Sequence, residues 1–390
     1  MPRFPLASLP VRGMSDRVYT TLGDRAARSG RVVHPLHVGD TYLEPLEAAR
    51  AEAQLTRDRP RLHNYAPVQG EPELRRAFVD RLEKRHGLAL DADAVQVVPG
   101  ATAGVSIAAQ ILVDPGDEVL VLAPFWPLSR GVVAARGGKA VEIPFFTRLD
   151  EPGFDVEREL ERHVTERTVA IYVNSPNNPT GAMLADDHVE AIARVAAKHD
   201  LWVWVDEAYD ELRYDGRDTK PVYLHPRLHD RALVFHTLSK SHGIAGSRIG
   251  FVHGPEAIME TFRGMQVYAT YCAPRPLQFG AVRALREGDA WVASARLAYA
   301  EAAAAVASAI GVPAPRAGTF LFFDASPFLR EGETTCAPFL ERAADVGVLL
   351  TPGHVSGAAY ARWARLCFTA VPPDALRAAL DALRPVLTRS

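Results

Sequence analysis

An apolar run, Ala232 to Phe235, predicts a buried strand, and one lysine, Lys240, stands among small and polar residues where that strand ends. Apolar surroundings disfavour an ammonium charge, and a neutral amine is a nucleophile. Arg248 follows eight residues on, with Gly243 and Gly246 between, so a tight backbone brings both cations to one site. Taken alone, Lys240 reads better as a solvated loop lysine. Asp206 is a second candidate, because five apolar residues at 201 to 205 make a fully buried strand that ends on it. A buried carboxylate needs a partner or it neutralises. A third is an anion site. AVQVVPGATAGVSIAAQ reads as strand, tight turn and helix, with the backbone N–H groups of Ala101 and Thr102 at the helix start and small residues, Gly100 and Ala101, letting an anion approach. The run NSPNNPTG at 174 to 181 holds too many turn formers to continue the strand before it.

These groups need a scaffold, and the chain supplies alternating signals. SDRVYTTLGDRAARSG predicts a short helix capped by Ser15 and stopped by Gly30, and VVHPLHVGDTYLEP a short strand breaking at Gly39-Asp40. Pro72, flanked by Glu71 and Glu73, marks a helix start. DEVLVLAPFWPLSRGVVAARGGKAVEIPF reads as strand, loop, helix and strand, and DDHVEAIARVAAKHD as the helix before the Asp206 strand. The tail alternates an alanine-rich helix with short strands in TFLFFDA, VGVLLTP and ARLCFTA. Such alternation predicts an α/β fold, a parallel sheet with helices on both faces, plus a smaller α/β unit. A length of 390 residues suits one large domain and one small one.

Composition excludes other classes. A net charge of −3 offers no basic field for nucleic acid or an anionic membrane, and no apolar run reaches spanning length. Three cysteines without a CxxC pair argue against a zinc site or disulfide framework and fit a reducing cytoplasm. The opening residues lack an apolar h-region, so no signal peptide is expected.

Taken in order, the segments resemble the class I/II aminotransferases, pyridoxal-phosphate enzymes of fold type I. T-L-S-K-S-H-G-I-A-G-S-R-I-G resembles their Schiff-base segment, N-S-P-N-N-P-T-G matches N-x-P-x-N-P-T-G, and D-E-A-Y at 206 to 209 is matched residue for residue. Nearly all of Y-x-P-x-x-G-x-P-x-L-R follows from Tyr65; L-H-V-G-D and A-R-L-C-F-T-A correspond to two further motifs, with Cys367 in the place of a serine. The resemblance implies a large cofactor-binding domain over 46–285, a mostly parallel sheet flanked by helices. A small C-terminal domain over 286–390 and an N-terminal arm over 1–45, part of it in the small domain, complete it. It implies that Lys240 holds pyridoxal 5'-phosphate as an imine and shuttles the α-proton, and that Asp206 keeps the pyridine nitrogen protonated. Tyr209 and Asn178 would meet the phenolate oxygen. Trp126 would stack on the ring, although alone it reads as a core tryptophan. Ala101, Thr102, Thr237, Ser239 and Arg248 would hold the phosphate, joined by Tyr65 from the other copy of a homodimer. Gly39 and Arg365 would meet the substrate carboxylate, the arginine as a planar two-point fork, with Trp126 and Asn178 also in the substrate site.

Besides Cys367, Thr41-Tyr42 and two further positions depart from the family pattern. Thr237 stands where a serine is frequent, and His242 where an aromatic is frequent. Arg362 lies outside the motif and reads as surface, and Arg275 is the one candidate for a distal carboxylate. With no clear second arginine and with Tyr42, Trp126, Tyr268 and Tyr271 near the expected pocket, apolar amino donors and a 2-oxo acid acceptor are expected. The same lysine, aspartate and arginine also serve β-elimination, decarboxylation or oxidative chemistry on this cofactor. A ligand-sensing regulator on the same fold would carry a winged helix ahead of it, for which the start has no room.

Overall fold

The computed structural model describes residues 6–12, 14, 20–54, 58–216 and 220–388. Seven strands form the large sheet: β1 (Gln96–Val98), β2 (Glu118–Ala123), β3 (Lys139–Pro144), β4 (Thr168–Asn174), β5 (Trp202–Asp206), β6 (Ala232–Thr237) and β7 (Gly250–His253). Their order is β1-β7-β6-β5-β4-β2-β3. The run from β3 to β6 is parallel, as the alternation of strands and helices predicts. One end differs: β7 lies antiparallel to both β1 and β6. The link from β6 to β7 holds a one-turn helix, Leu238–Ser241, and a 3-10 turn, Ala245–Ser247, rather than a crossover helix, so the chain turns back beside the strand it left.

Side chains alternate between the sheet's two faces. Leu120, Ile171, Val173, Val203, Val205 and Val234 pack under the helix Asp186–Lys198. Val121, Ala170, Tyr172, Trp204 and Phe235 pack on the other face, against the helix Ala101–Leu112. On that second face the next residues along the strands are Asn174, Asp206 and Thr237, so one parity of three neighbouring strands ends in polar groups at one edge.

A second, three-stranded sheet is antiparallel throughout, in the order β8 (Phe320–Asp324), β10 (Trp363–Cys367), β9 (Thr351–Pro352). It shares a core with the long helix Asp289–Ile310 and the last helix, Pro373–Leu383. Two strand readings are corrected here. The segment around Pro35 makes only a single bridge, His34 to Val348, because proline has no N–H to extend the ladder. Of VGVLLTP only Thr351–Pro352 is strand. The N-terminal helix runs over Thr20–Arg28 and is followed by Gly30 at φ 69°; the cap read at Ser15 lies outside the described residues.

Candidate active site

The edge where β4, β5 and β6 end in polar residues opens into a cavity of about 150 Å³. Ala101, Thr102, Trp126 and Asn178 line it, with Asp206, Tyr209, Thr237, Ser239, Lys240 and Arg248. Groups read from five separate segments therefore meet in one place. Tyr65, Gly39 and Arg365 are not part of this lining.

One end is built for an anion. The first N–H groups of a helix have no partner within it, and here they belong to Ala101 and Thr102. The Thr237 and Ser239 hydroxyls lie 2.8 Å apart beside them, and Arg248 brings a guanidinium. Arg248 itself takes the left-handed conformation, φ 53°, and its Nη1 donates to the Ala245 carbonyl at 2.9 Å. Gly100 is required here. Its φ is +80°, and a Cβ would lie 2.3 Å from Arg248 Nη2. Gly250 serves the same approach, since a Cβ there would meet the Ala101 backbone nitrogen at 2.7 Å.

The middle is built around Asp206. It is buried, and burial raises its carboxyl above the usual range, opposed by two donors. The Tyr172 hydroxyl donates to Oδ2 at 2.6 Å and the Ala208 N–H to Oδ1 at 3.1 Å. Asn174, opposite Asp206 across the β4/β5 ladder, donates its amide to the Asp206 carbonyl at 2.9 Å and accepts the Asn178 N–H at 2.6 Å. Asn178 in turn donates to the Tyr209 hydroxyl at 3.3 Å. The peptide bonds before Pro176 and Pro179 are cis. Tyr172 is the residue that sequence reading missed. Its signal was a tyrosine two residues before Asn174, on the parity that leads to the site.

Lys240 lies in the short helix at the end of β6, where burial lowers its amine, partly offset by the nearby Cys367 and Asp40. Its Nζ donates to the Gly39 carbonyl at 2.5 Å, so Gly39 reaches the site through its backbone. A Cβ on Gly39 would run into the Phe320 ring at 2.6 Å. Arg365 on β10 joins from the second sheet: Nη1 donates to Asn178 Oδ1 at 3.3 Å, and Nη2 to the His37 carbonyl at 3.2 Å. Its guanidinium sits 4.2 Å from the Phe320 ring centroid, and Nε is buried with no partner. Among the described residues it forms no ion pair with a carboxylate.

Other candidates lie elsewhere. Arg275 is engaged by Glu71 at 2.7 Å and is not available to a distal carboxylate. Arg362 is a surface side chain bonded to Ser326, as read. Tyr65 is 78% exposed and packs edge-on against Tyr271, with Tyr268 also exposed. His242 points away from the cavity. It is buried, its Nδ1 lies 2.8 Å from Ser241 Oγ, and Gly288 is close to its Cδ2.

The family described as "Aminotransferase class I and II" matches residues 32–383. The aspartate/prephenate aminotransferase of Thermus thermophilus is 33% identical over 336 residues, 84% of each chain. The chain belongs to the class I and II aminotransferases. It is a pyridoxal-phosphate-dependent enzyme of fold type I. The arginine–pyruvate transaminase of Pseudomonas aeruginosa is 38% identical over 223 residues, which span 57% of this aminotransferase and 56% of that relative. Among solved structures, a Thermus thermophilus aspartate aminotransferase with maleate superposes with a TM-score of 0.85 at 28% identity, over 97% of this chain and 99% of that one. The N-succinyldiaminopimelate aminotransferase of Mycobacterium tuberculosis gives 0.85 at 28% identity, over 97% and 100%. Among the described residues, no helix of this aminotransferase is long and apolar enough to cross a membrane.

Burial sets a pH dependence. His236 and His242 are both lowered to about 4, chiefly by burial, and His253 is lowered as well. Between that range and the ordinary histidine value of about 6.5, the unfolded chain binds protons that the folded chain refuses. These groups therefore remove stability as pH falls from about 6.5 towards 4 and have no effect above it. Urea midpoints of the apoenzyme at pH 7 and pH 5 check this: His242→Gln should lose less stability over the interval than the unaltered chain, and equal losses would refute it.

Proposed function

We propose that this enzyme transfers the amino group of an apolar L-amino acid, aromatic ones included, to a 2-oxo acid. It works as a homodimer with Lys240 as the residue that holds the cofactor. The observation that carries the reading is a largely buried lysine amine, bonded to a backbone carbonyl and to no carboxylate, between an anion cradle and an arginine with no carboxylate partner. The residues fit pyridoxal phosphate. Gly100 leaves room against Arg248, the helix start at Ala101 and Thr102 and the Thr237 and Ser239 hydroxyls offer donors, and the half-buried Trp126 offers a flat face. When bound, the cofactor supplies an electron sink for the substrate's α-carbon.

The chain's own groups do the rest. Asp206 holds a proton at the pyridine nitrogen, in a low dielectric where the charge-assisted bond is strong. Asn178 and Tyr209 donate towards the phenolate oxygen; burial keeps the Tyr209 hydroxyl protonated. Lys240, whose amine burial shifts towards the neutral form, would hold the cofactor at its aldehyde carbon, the oxygen leaving as water, and would move the proton at the substrate's α-carbon. Arg365 takes the α-carboxylate in a two-point fork, held in plane by Phe320. The division into 46–285 and 286–390, with 1–45 as the arm, is supported by the seven-stranded sheet lying wholly in the first and the three-stranded sheet in the second. A cytoplasmic setting is consistent with the three unpaired cysteines.

Apolar donors are supported by the lining, where the cations are Lys240 and Arg248, both already assigned, and by the engagement of Arg275 with Glu71. Absorption spectra of the purified holoenzyme mixed with single amino acids test this. Phenylalanine, methionine and leucine should convert the cofactor to its amine form faster than aspartate or glutamate do. A strong preference for the dicarboxylic pair would overturn the substrate class. Release of free ammonia or carbon dioxide, with the cofactor unchanged, would overturn transamination.

Arg365→Ala should raise KM for the amino donor and lower kcat/KM by about 30-fold or more, the equivalent of losing one side of a buried charge pair at ~2–5 kcal/mol. Cofactor affinity should stay near normal; unchanged kinetics would place the carboxylate anchor elsewhere.

The homodimer is supported by the exposed tyrosines, Tyr65, Tyr268 and Tyr271, a patch that a second copy would cover. Mixing Tyr65→Ala with Lys240→Ala subunits tests the shared site. Each hybrid pairs an intact Lys240 in one chain with an intact Tyr65 in the other, so activity above both parents is expected. An active monomer in sedimentation would refute it.

A further inference from the structure

Tyr172 is a buried group that touches Asp206 with its side chain and has no role in the account above. It sits in a strand whose other interior residues, Val169, Ala170, Ile171 and Val173, are aliphatic. It is 1% exposed, and its phenol packs on the face shared with Trp204 and Phe235. Phenylalanine would fill that space without a polar atom. A buried hydroxyl is costly unless bonded, and this one donates to a single acceptor, Asp206 Oδ2 at 2.6 Å. The reach follows from register. Asn174 stands opposite Asp206 and Tyr172 opposite Trp204, so a long side chain one same-face position upstream leans along the strands to the carboxylate.

We propose that Tyr172 is a positioning residue that tunes Asp206, lowering the carboxylate's proton affinity so that the shared proton stays on the pyridine nitrogen. The proposal rests on the reading that Asp206 faces that nitrogen. A carboxylate has roughly four acceptor positions, and Tyr172 and the Ala208 N–H take one on each oxygen, which leaves room for a third donor. The two donors share the negative charge. Without the phenol, a carboxylate that burial already disfavours becomes a stronger base, and the proton moves from nitrogen to oxygen. The ring is then a weaker electron sink while the pocket keeps its shape. Burial, and then the charge of Asp206, hold the Tyr172 hydroxyl far above its ordinary value, so it is a donor across the working pH range.

The test reads the proton directly. Holoenzyme is reconstituted with cofactor labelled with 15N in the ring, and the nitrogen resonance is followed by NMR in the unaltered chain, Tyr172→Phe and Asp206→Asn. The unaltered chain should show a protonated nitrogen and Asp206→Asn a neutral one. Tyr172→Phe should lie between them, with kcat lower by about tenfold, the scale of one hydrogen bond to a charged group. A second readout needs no cofactor: the Asp206 carboxyl of the apoenzyme, followed by difference infrared spectroscopy against Asp206→Asn, should titrate at higher pH in Tyr172→Phe. Should that variant fail to fold, Tyr172→Leu carries the same expectations. If Asp206→Asn shifts the nitrogen resonance and Tyr172→Phe leaves it at the original position, the proposal is overturned and the reading of Asp206 stands. If Asp206→Asn leaves it unmoved as well, the reading itself falls.

Discussion

Lys240 and Arg248 line one small cavity and Arg365 stands beside it on Asn178, and among the described residues none of these three basic side chains is paired with a carboxylate. Desolvation and mutual repulsion both oppose this, and backbone carbonyls answer only part of it. Gly39 accepts from the lysine, Ala245 from Arg248, and His37 from Arg365. Asn178 and Thr351 accept from Arg365 as well, and anionic ligands would add to this. A phosphate at the helix start and a carboxylate beside Phe320 have the charge and the geometry to do so. Glycines at 100 and 250 and the ring of Phe320 are the local devices that let the positive charges come this close.

The segment DEAYDE after β5 shows how the scaffold bears that load. Asp206 and Tyr209 face the cavity. Asp210 and Glu211 turn the other way and are clamped by the helix Pro72–His86: Arg85 meets Asp210 at 2.8 Å, and Arg81 meets Glu211 at 2.5 Å. Those arginines hold Asp210 and Glu211 below the usual carboxylate range despite burial. Among the described residues Glu207 has no such ion pair. Both of its oxygens are buried without a hydrogen bond, and burial followed by the nearby Asp210 raises it far above the usual range. The helix announced by Pro72 thus fixes, through ion pairs from Arg81 and Arg85, the segment that follows Asp206.

The second sheet contributes from a distance. Arg365 comes from β10, roughly the length of a domain later in sequence than Asn178, yet its Nη1 rests on the Asn178 amide. Phe320, from β8, packs edge-on against Tyr209 and lies under Arg365. Movement of the small sheet against the large one would therefore shift the Arg365 guanidinium relative to Lys240.

Local signals in the chain determined most of what matters. The period and length of the apolar runs set the parallel strands, and Pro72, Gly100 and the Asn/Pro run marked the breaks where polar groups gather. Those signals are legible because strand, turn and helix start are governed by neighbours a few residues away. Contacts between distant segments were not legible in the same way. No periodicity announces that Pro35 confines its segment to one bridge, or that a short link sends β7 back antiparallel. Arg275 looked available until the fold brought Glu71 to it. Tyr172 looked like an ordinary strand residue until the β4/β5 register carried its hydroxyl to Asp206. Residue types and spacing specify which chemistry a chain can do. Burial and pairing, which decide how acidic, how basic and how available each group is, arise only when remote segments exclude water from one another.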